Sequence, residues 1–265
     1  MTNNEADLII DKIYAGGKFS TRYQEESWGL YFVNGVLHYW SERLLEDGSS
    51  DNIAEEWERE KLHVLLTKTY SFEIINERIR FDKLIVDGRE FESNITHFAF
   101  PEPMPIIRDM QELSKLPFFP NLTSASFTES NLNGSGLAWV CDCNLLENLN
   151  LQGTKITDRD LQSLYKLGNL KYLRLKDNPQ LTDNSISYLL SLTTLIDLQI
   201  QETSITEKGL RLMRNMPNLN QIILSEDPVR FTKSGLIEIS KNLPDTTILV
   251  KGVGEYLNGK YISFQ

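Results

Sequence analysis

The sequence predicts an α/β fold, a solenoid with a parallel inner sheet and outer helices, preceded by a small β-rich α+β N-terminal domain. Three observations predict this class. An apolar pattern recurs through the second half of the chain, helical spacing follows most copies, and the residues before 95 instead alternate like short strands. We therefore expect an acidic N-terminal domain over residues 1–94 and a repeat domain over 95–265.

Each copy of the pattern has three apolar residues, with the second and third lying three and five positions after the first. The copies start 24, 24, 25 and 24 residues apart, at Leu122, Leu146, Leu170, Leu195 and Leu219. Further strands are expected within 95–100 and 248–250. In these residues the chain resembles the leucine-rich repeat superfamily. That resemblance implies one strand per repeat and a surface that binds another macromolecule.

Alternation within each predicted strand separates core residues from surface residues. Leu149 and Leu151 point inward, and their neighbours point outward. The outward residues of the central repeats form the predicted partner-binding concave face: Asn148, Asn150, Gln152, Tyr172, Arg174, Lys176, Asp197, Gln199, Gln201 and Gln221. Tyrosine and arginine are enriched at binding hot spots, which favours Tyr172 and Arg174. An ion pair between Arg174 and Asp197 across neighbouring repeats is the alternative role for these two residues.

Two polar columns follow the predicted strands. Short polar residues that can bond the turn backbone lie three positions after the last strand residue: Ser130, Thr154, Asn178, Thr203 and Asp227. Threonine followed by an acid comes next, at Thr157-Asp158, Thr182-Asp183 and Thr206-Glu207. These pairs predict helix starts, where the hydroxyl caps a backbone N–H and the carboxylate meets the positive end of the helix dipole. The Ile-Thr-Asp form is similar to repeats of ubiquitin-ligase substrate adaptors and of bacterial repeat proteins.

Turn signals define the two ends of the chain. Alternating residues around Asn34-Gly35 predict a hairpin over 28–40, followed by a helix over 51–66 and strands within 70–75, 79–86 and 89–91. The first repeat is expected to carry an outer helix over 106–116. Asn258-Gly259 predicts a second hairpin over 255–262, which we interpret as the C-terminal cap of the array.

The net charge of −10 lies mainly in the N-terminal part. Residues 1–94 hold 11 Lys and Arg against 19 Asp and Glu, whereas residues 119–250 hold 12 against 14. This balance argues against nucleic acid and anionic membranes as partners, because both reward clustered basic residues. The acidic run is either a solvated surface or a docking surface for a basic partner. Its candidate docking residues are Glu46, Asp47, Asp51, Glu55 and Glu56.

The sequence predicts no catalytic site, metal, cofactor or small-molecule substrate. It has no P-loop, dinucleotide fingerprint or His-Glu-x-x-His motif. The histidines, at 38, 63 and 97, lack a local nucleophile or carboxylate at a catalytic spacing. Cys141 and Cys143 are too close in sequence to bridge well and have no companion zinc ligands, so we expect reduced thiols.

Two functions fit these observations. The first is a non-enzymatic protein-binding module that neutralises a dedicated protein partner, an immunity- or antitoxin-like inhibitor of a basic toxin or effector domain. The second is an adaptor or assembly scaffold, such as a substrate-recognition subunit, with separate surfaces for a client and for a larger assembly. The sequence shows no export signal and no run of about 18 apolar residues, so we expect a soluble, cytoplasmic protein.

Overall fold

A computed structural model divides the chain into two compact units, residues 1–95 with 117–121 and residues 96–116 with 122–265. The structure describes residues 26–33, 36–43, 72–75, 78–81, 83–119 and 121–264. The segment 117–121 belongs to the first unit although it lies far along the chain. The simple division at residue 94 therefore stays a prediction.

The described residues of the first unit form two antiparallel sheets. One has the strand order β1-β2-β4-β3, formed by β1 (Glu26–Val33), β2 (Val36–Arg43), β3 (Phe72–Ile75) and β4 (Arg78–Phe81). The other pairs β5 (Lys83–Val86) with β6 (Arg89–Glu92). Asp87 and Gly88 connect β5 to β6 with positive φ angles of 51° and 78°, as a two-residue hairpin turn requires. The helix predicted over 51–66 lies outside the described residues.

The second unit is built on a nine-stranded sheet in which the strands lie in sequence order. Each strand from β7 to β12 pairs in parallel with the next, and β14 and β15 extend the sheet from β13 with antiparallel pairing. The strands are β7 (His97–Ala99), β8 (Ser124–Ser126), β9 (Asn148–Asn150), β10 (Tyr172–Arg174), β11 (Asp197–Gln199), β12 (Gln221–Leu224), β13 (Thr247–Val250), β14 (Gly254–Leu257) and β15 (Lys260–Ser263). The predicted α/β class and parallel sheet are confirmed.

Burial along the strands follows the predicted register. The central residues of β7 to β11 are at most 1% exposed and pair directly across the sheet: Phe98, Ala125, Leu149, Leu173 and Leu198. Their neighbours on either side are partly or fully exposed. A continuous apolar core therefore lies behind one face of the sheet. The opposite face, which we call the exposed sheet face, carries the outward residues of β7 to β13.

Short helical segments return the chain between successive parallel strands. Several are 3-10 helices rather than α-helices, because a repeat of about 24 residues leaves few residues between strands. The segments are Met110–Phe118, Asp158–Lys166, Asp183–Ser185 and Met213–Asn215 as 3-10 helices, and Gly134–Val140, Ile186–Leu189, Glu207–Leu212 and Lys233–Asn242 as α-helices. The helix predicted over 106–116 instead begins at Met110. The Asn131 amide bonds both the N–H and the C=O of Ile107, at 2.8 and 3.1 Å, and so holds that residue outside the helix.

The predicted C-terminal hairpin is present. β14 and β15 pair antiparallel around Asn258 and Gly259, whose φ angles of 46° and 74° match a two-residue turn. Tyr256 and Tyr261 face each other across the pair with ring centroids 4.9 Å apart. The Lys233 ammonium lies 3.8 Å from the Tyr261 ring centroid, so the hairpin contacts the helix Lys233–Asn242.

Candidate partner-binding cleft

A cleft of about 410 Å³ crosses the exposed sheet face from β7 to β11. Neighbouring strands lie about 4.8 Å apart, so these five strands span about 19 Å, a width suited to a segment of another protein. Strand alternation aims the polar side chains into the cleft. The lining residues are His97, Ala99, Ser124, Ala125, Ser126, Asn148, Asn150, Tyr172, Leu173, Arg174, Asp197 and Gln199.

Six of the ten residues predicted for the concave face line this cleft: Asn148, Asn150, Tyr172, Arg174, Asp197 and Gln199. Three others lie beyond its lining. Gln152 and Lys176 follow the ends of β9 and β10, where both contact the Asp177 carboxylate, at 2.7 and 3.3 Å respectively. Gln221 begins β12 and pairs with Asp197 along the ladder.

The prediction that Gln201 is exposed is wrong. This side chain is 1% exposed, and neither atom of its amide has a hydrogen-bond partner among the described residues. β11 ends at Gln199, so the alternation that places residues outward does not extend to Gln201. Glu202 follows with a φ of 52°, and the backbone turns there.

One end of the cleft is a small polar cluster, in which only Asn150 belongs to the ten residues predicted for the concave face. His97 Nδ1 lies 2.9 Å from Ser124 Oγ, and Ser126 Oγ lies 3.0 Å from Thr128 Oγ1. Asn150 Nδ2 donates to Thr128 Oγ1 at 2.9 Å. The sequence signal was the apolar pattern within 95–100, which identifies β7 as an additional strand and brings His97 beside β8.

The His97 and Ser124 pair has the hydrogen-bond distance of a nucleophile and its base, and it differs from a catalytic triad in its third member. Both side chains are solvent-accessible. Among the described residues no carboxylate bonds the other ring nitrogen of His97, which a catalytic histidine needs for orientation. The pair is suited to hydrogen bonding with a bound partner.

The centre of the cleft holds one aromatic ring and two charged groups. Tyr172 is 45% exposed. Arg174 is half-buried, and its Nε atom is buried without a hydrogen-bond partner among the described residues. The alternative of an ion pair between Arg174 and Asp197 is not what the structure shows. The register places Tyr172 beside Asp197, and Arg174 beside Gln199.

The Asp197 carboxylate accepts a hydrogen bond from Gln199 Nε2 at 3.2 Å. Removal from water raises the pKa of Asp197, and the Gln199 hydrogen bond opposes this shift. Desolvation has the larger effect, so the sheet face holds this carboxylate in a poorly solvated position. A group of this kind destabilises the free protein when it is charged.

The first polar column beyond the strands is structural, as predicted. The hydroxyls of Ser130, Thr154 and Thr203 donate to carbonyls three residues earlier, at 2.7, 3.0 and 2.8 Å. Asn178 is fully buried and its Nδ2 donates to three carbonyls, those of residues 151, 175 and 176. Asp227 accepts from Arg230 Nε at 2.6 Å, and this hydrogen bond lowers the pKa of Asp227.

The second polar column links one repeat to the next, which the sequence analysis missed. The Asp183 carboxylate accepts from the Thr206 N–H and hydroxyl, both at 2.8 Å. Asp158 does the same for Thr182, at 2.8 and 2.6 Å, and also accepts from the Ser185 hydroxyl. Glu207 bonds Thr232 likewise, at 2.7 and 2.8 Å. Each acid therefore bonds the N-cap threonine of the following helical segment, in addition to being the first residue of its own.

A close approach makes this acid ladder possible. A Cβ added at Gly209 would lie 2.4 Å from an Asp183 carboxylate oxygen, and one at Gly235 would lie 2.1 Å from Glu207. Glycine occupies the third position after Thr206 and Thr232, so the carboxylate of the preceding repeat has room to reach the threonine. The signal in the sequence was an acid about 24 residues before a Thr-x-x-Gly segment.

The two cysteines are not among the residues that line the cleft. Cys141 and Cys143 are free and buried, and burial raises the pKa of the Cys141 thiol to about 12. The described residues contain no group of three metal-ligating side chains. Among these same residues, no helix has the length and apolarity needed to cross a membrane. The acidic docking candidates Glu46, Asp47, Asp51, Glu55 and Glu56 lie outside the described residues.

No protein-family model and no curated protein matches this sequence. The chain is similar to the plant peptide hormone receptor RGFR1, solved in complex with RGF2, with 15% identity and a TM-score of 0.32 over 52% of this chain and 26% of the receptor. It is also similar to an internalin, InlF, from Listeria monocytogenes strain 4b F2365, with 14% identity and a TM-score of 0.34 over 54% of this chain and 56% of the internalin. We draw no conclusion from either similarity, because both TM-scores are low. The description of the architecture rests on the strand register.

Proposed function

We propose that the protein is a non-enzymatic binding module that recognises another protein through the cleft, and that it neutralises this partner as an immunity- or antitoxin-like inhibitor. The observation that carries the proposal is the state of Arg174 and Tyr172. The Arg174 Nε is buried without a partner among the described residues, and Tyr172 is 45% exposed beside it. Folding does not require either side chain to lie there, whereas a protein interface gains from both.

The inhibitory role rests on charge. The net charge of −10 lies mostly in residues 1–94, which include the acidic docking candidates. An acidic surface accelerates encounter with a basic toxin or effector domain and disfavours other partners. The cleft then supplies local contacts that slow dissociation.

Affinity capture with the tagged full-length chain tests this function. Tyr172→Ala and Arg174→Ala are compared with Tyr165→Ala and Arg159→Ala, which remove the same residue types from the exposed surface of the 3-10 helix Asp158–Lys166. We expect the two cleft variants to lose the partner and the two controls to retain it. The full-length protein added to the purified partner should also abolish that partner's activity.

The same experiment separates the inhibitor from the adaptor. An adaptor has two partners, and the one bound away from the cleft is retained by both cleft variants. An inhibitor loses its single partner in both. Equal capture by all four variants and the wild-type chain would contradict a binding role for the cleft.

A further inference from the structure

The cations on and beside the exposed sheet face differ in whether they have a counter-ion. Lys171 lies 2.8 Å from a Glu147 carboxylate oxygen, and Lys176 lies 3.3 Å from an Asp177 carboxylate oxygen. Arg174 lies between these two lysines in sequence and forms no ion pair with any of the described residues. Its Nε donor is also removed from water. This donor lacks an acceptor among the described residues, and an acceptor supplied by a partner would satisfy it.

Asp197, the carboxylate in the same cleft, does not satisfy this donor. Its side chain accepts from Gln199, and no ion pair joins it to Arg174 among the described residues. The two groups also differ in how they can respond to desolvation. A carboxylate can lose its charge by binding a proton, whereas a guanidinium stays protonated at every accessible pH. Arg174 is therefore the group in the cleft that still needs a negatively charged acceptor.

We propose that the cleft binds an acidic side chain, Asp or Glu, of the protein partner, with its carboxylate on the Arg174 guanidinium. This inference rests on the proposed function and names the chemistry of recognition. The planar guanidinium can donate two parallel hydrogen bonds to a carboxylate, and Tyr172, two residues earlier on the same strand face, supplies an aromatic contact for the acidic residue's methylene groups.

The charges in the cleft favour a single carboxylate over a polyanion. Arg174 is the one Lys or Arg among the residues that line it, and Asp197 adds a carboxylate nearby. A nucleic acid or a phosphate of charge near −2 would meet this carboxylate and the overall charge of −10 without enough cations to balance them. One partner carboxylate matches one unpaired guanidinium.

NMR of the full-length protein labelled with ¹⁵N-arginine tests the assignment through the Arg174 Nε–Hε resonance. The resonance is identified by its absence in Arg174→Lys, which keeps the charge. The probes are N-acetylglutamic acid α-amide and the isosteric N-acetylglutamine amide. We expect a saturable shift with the acid in the millimolar range and no saturable shift with the amide, because only the acid offers a charged bidentate acceptor.

Three variants test which charge the site prefers and which residue binds the probe. Affinity for the acidic probe, followed through backbone amides of β10, should fall at least threefold in Arg174→Gln. It should stay unchanged in Lys171→Gln, which removes the same charge from a cation already paired with Glu147. It should rise about twofold to fivefold in Asp197→Asn, because a nearby like charge is removed.

Equal responses to the acid and the amide would overturn the proposal, as would unchanged affinity in Arg174→Gln. A response confined to N-acetylalanine, which carries a free α-carboxylate, would assign the cleft to a chain terminus and overturn the side-chain assignment. These outcomes are distinct from failure of the proposed function. If no protein is captured while the acidic probe still shifts Arg174, the carboxylate site stands and the inhibitor role fails.

Discussion

Polar residues occupy two regions of every central repeat, and they are used differently. Beyond the strands, Asn178 and the acid ladder of Asp158, Asp183 and Glu207 bond the backbone of their own or the next repeat. On the exposed sheet face, Arg174 and Asp197 lie in neighbouring strands without pairing to each other. The polar groups beyond the strands form hydrogen bonds that stabilise the fold. Those on the exposed sheet face remain available to a partner.

This difference shows that a polar residue cannot be assigned a role from its column in the repeat alone. Asp183 and Asp197 are carboxylates in neighbouring repeats, yet Asp183 accepts two hydrogen bonds from Thr206 and Asp197 accepts one from Gln199. The carboxylate with several donors stabilises the fold, and the poorly solvated one opposes it. Substitutions in the two regions should therefore have opposite effects on stability.

The largest expected effect comes from the strand that carries the cleft centre. Leu173 is 1% exposed and lies between Tyr172 and Arg174. Leu173→Ala should lower the free energy of unfolding by about 2–5 kcal/mol, because a buried cavity replaces the side chain. Tyr172→Ala, one residue away, should change it by less than about 0.5 kcal/mol. Chemical denaturation measures both, and equal effects would mean that the strand register is wrong.

Asn178 should show the next largest effect. Its buried amide donates to three carbonyls and accepts from the Thr154 N–H at 3.1 Å. Asn178→Ala leaves these buried groups unpaired. It should lower the free energy of unfolding by about 3 kcal/mol, because each unsatisfied buried group costs about 1–3 kcal/mol. The measurement is the denaturation midpoint with Asn184→Ala, an exposed amide in the next turn, as control. A loss of stability below about 1 kcal/mol would contradict a structural role for Asn178.

The acid ladder is tested by Asp183→Asn and Gly209→Ala. The first weakens the charge-assisted bonds to Thr206 and should cost about 1–2 kcal/mol. The second introduces a Cβ 2.4 Å from the Asp183 carboxylate and should also destabilise, although alanine has the higher helix propensity. Gly168→Ala is the control, since nothing lies within 4 Å of its added Cβ. If Gly209→Ala is no less stable than Gly168→Ala, the carboxylate does not need this approach.

Asp197→Asn should have a small effect of the opposite sign. Desolvation raises the pKa of Asp197 above 3.8 in the folded protein. The folded state therefore favours the protonated carboxyl, and the unfolding free energy falls as the pH rises through the folded pKa. At pH 7 the variant should melt at a higher temperature than the wild type, and below pH 3.8 the difference should vanish. Calorimetric melts at the two pH values measure it, and a lower melting temperature at pH 7 would contradict the assignment.

Much of the sheet could be predicted from the sequence, because local periodicity fixes it. The spacing of Leu149, Leu173 and Leu198 determined which residues face outward, and the Asn258-Gly259 dipeptide determined the last hairpin. Where the strand ends, this rule stops, and Gln201 was therefore misplaced. The prediction covered the cleft centre but not its end at His97, because the first strand was treated as an extension of the array.

The acid ladder could not be predicted from local rules. Asp183 lies 23 residues from Thr206, so the bond between them exists only after two repeats stack. A helix-start rule explains the same Thr-Asp pair within one repeat and gives no reason to look further. The distance from Arg174 to Asp197 is likewise set by rotamers across two repeats, and the sequence left that ion pair as an open alternative.

The most direct test asks whether the exposed sheet face binds the partner without contributing to stability. It is a calorimetric titration of the captured partner with the wild-type and Arg174→Ala proteins. The unfolding free energy of the same samples is measured alongside. We expect Arg174→Ala to weaken binding by more than about 1 kcal/mol, which is about fivefold, with stability changed by less than about 0.5 kcal/mol. Full affinity in this variant and in Tyr172→Ala would contradict the assignment and move the binding surface to the acidic N-terminal residues or to the helical side of the repeats.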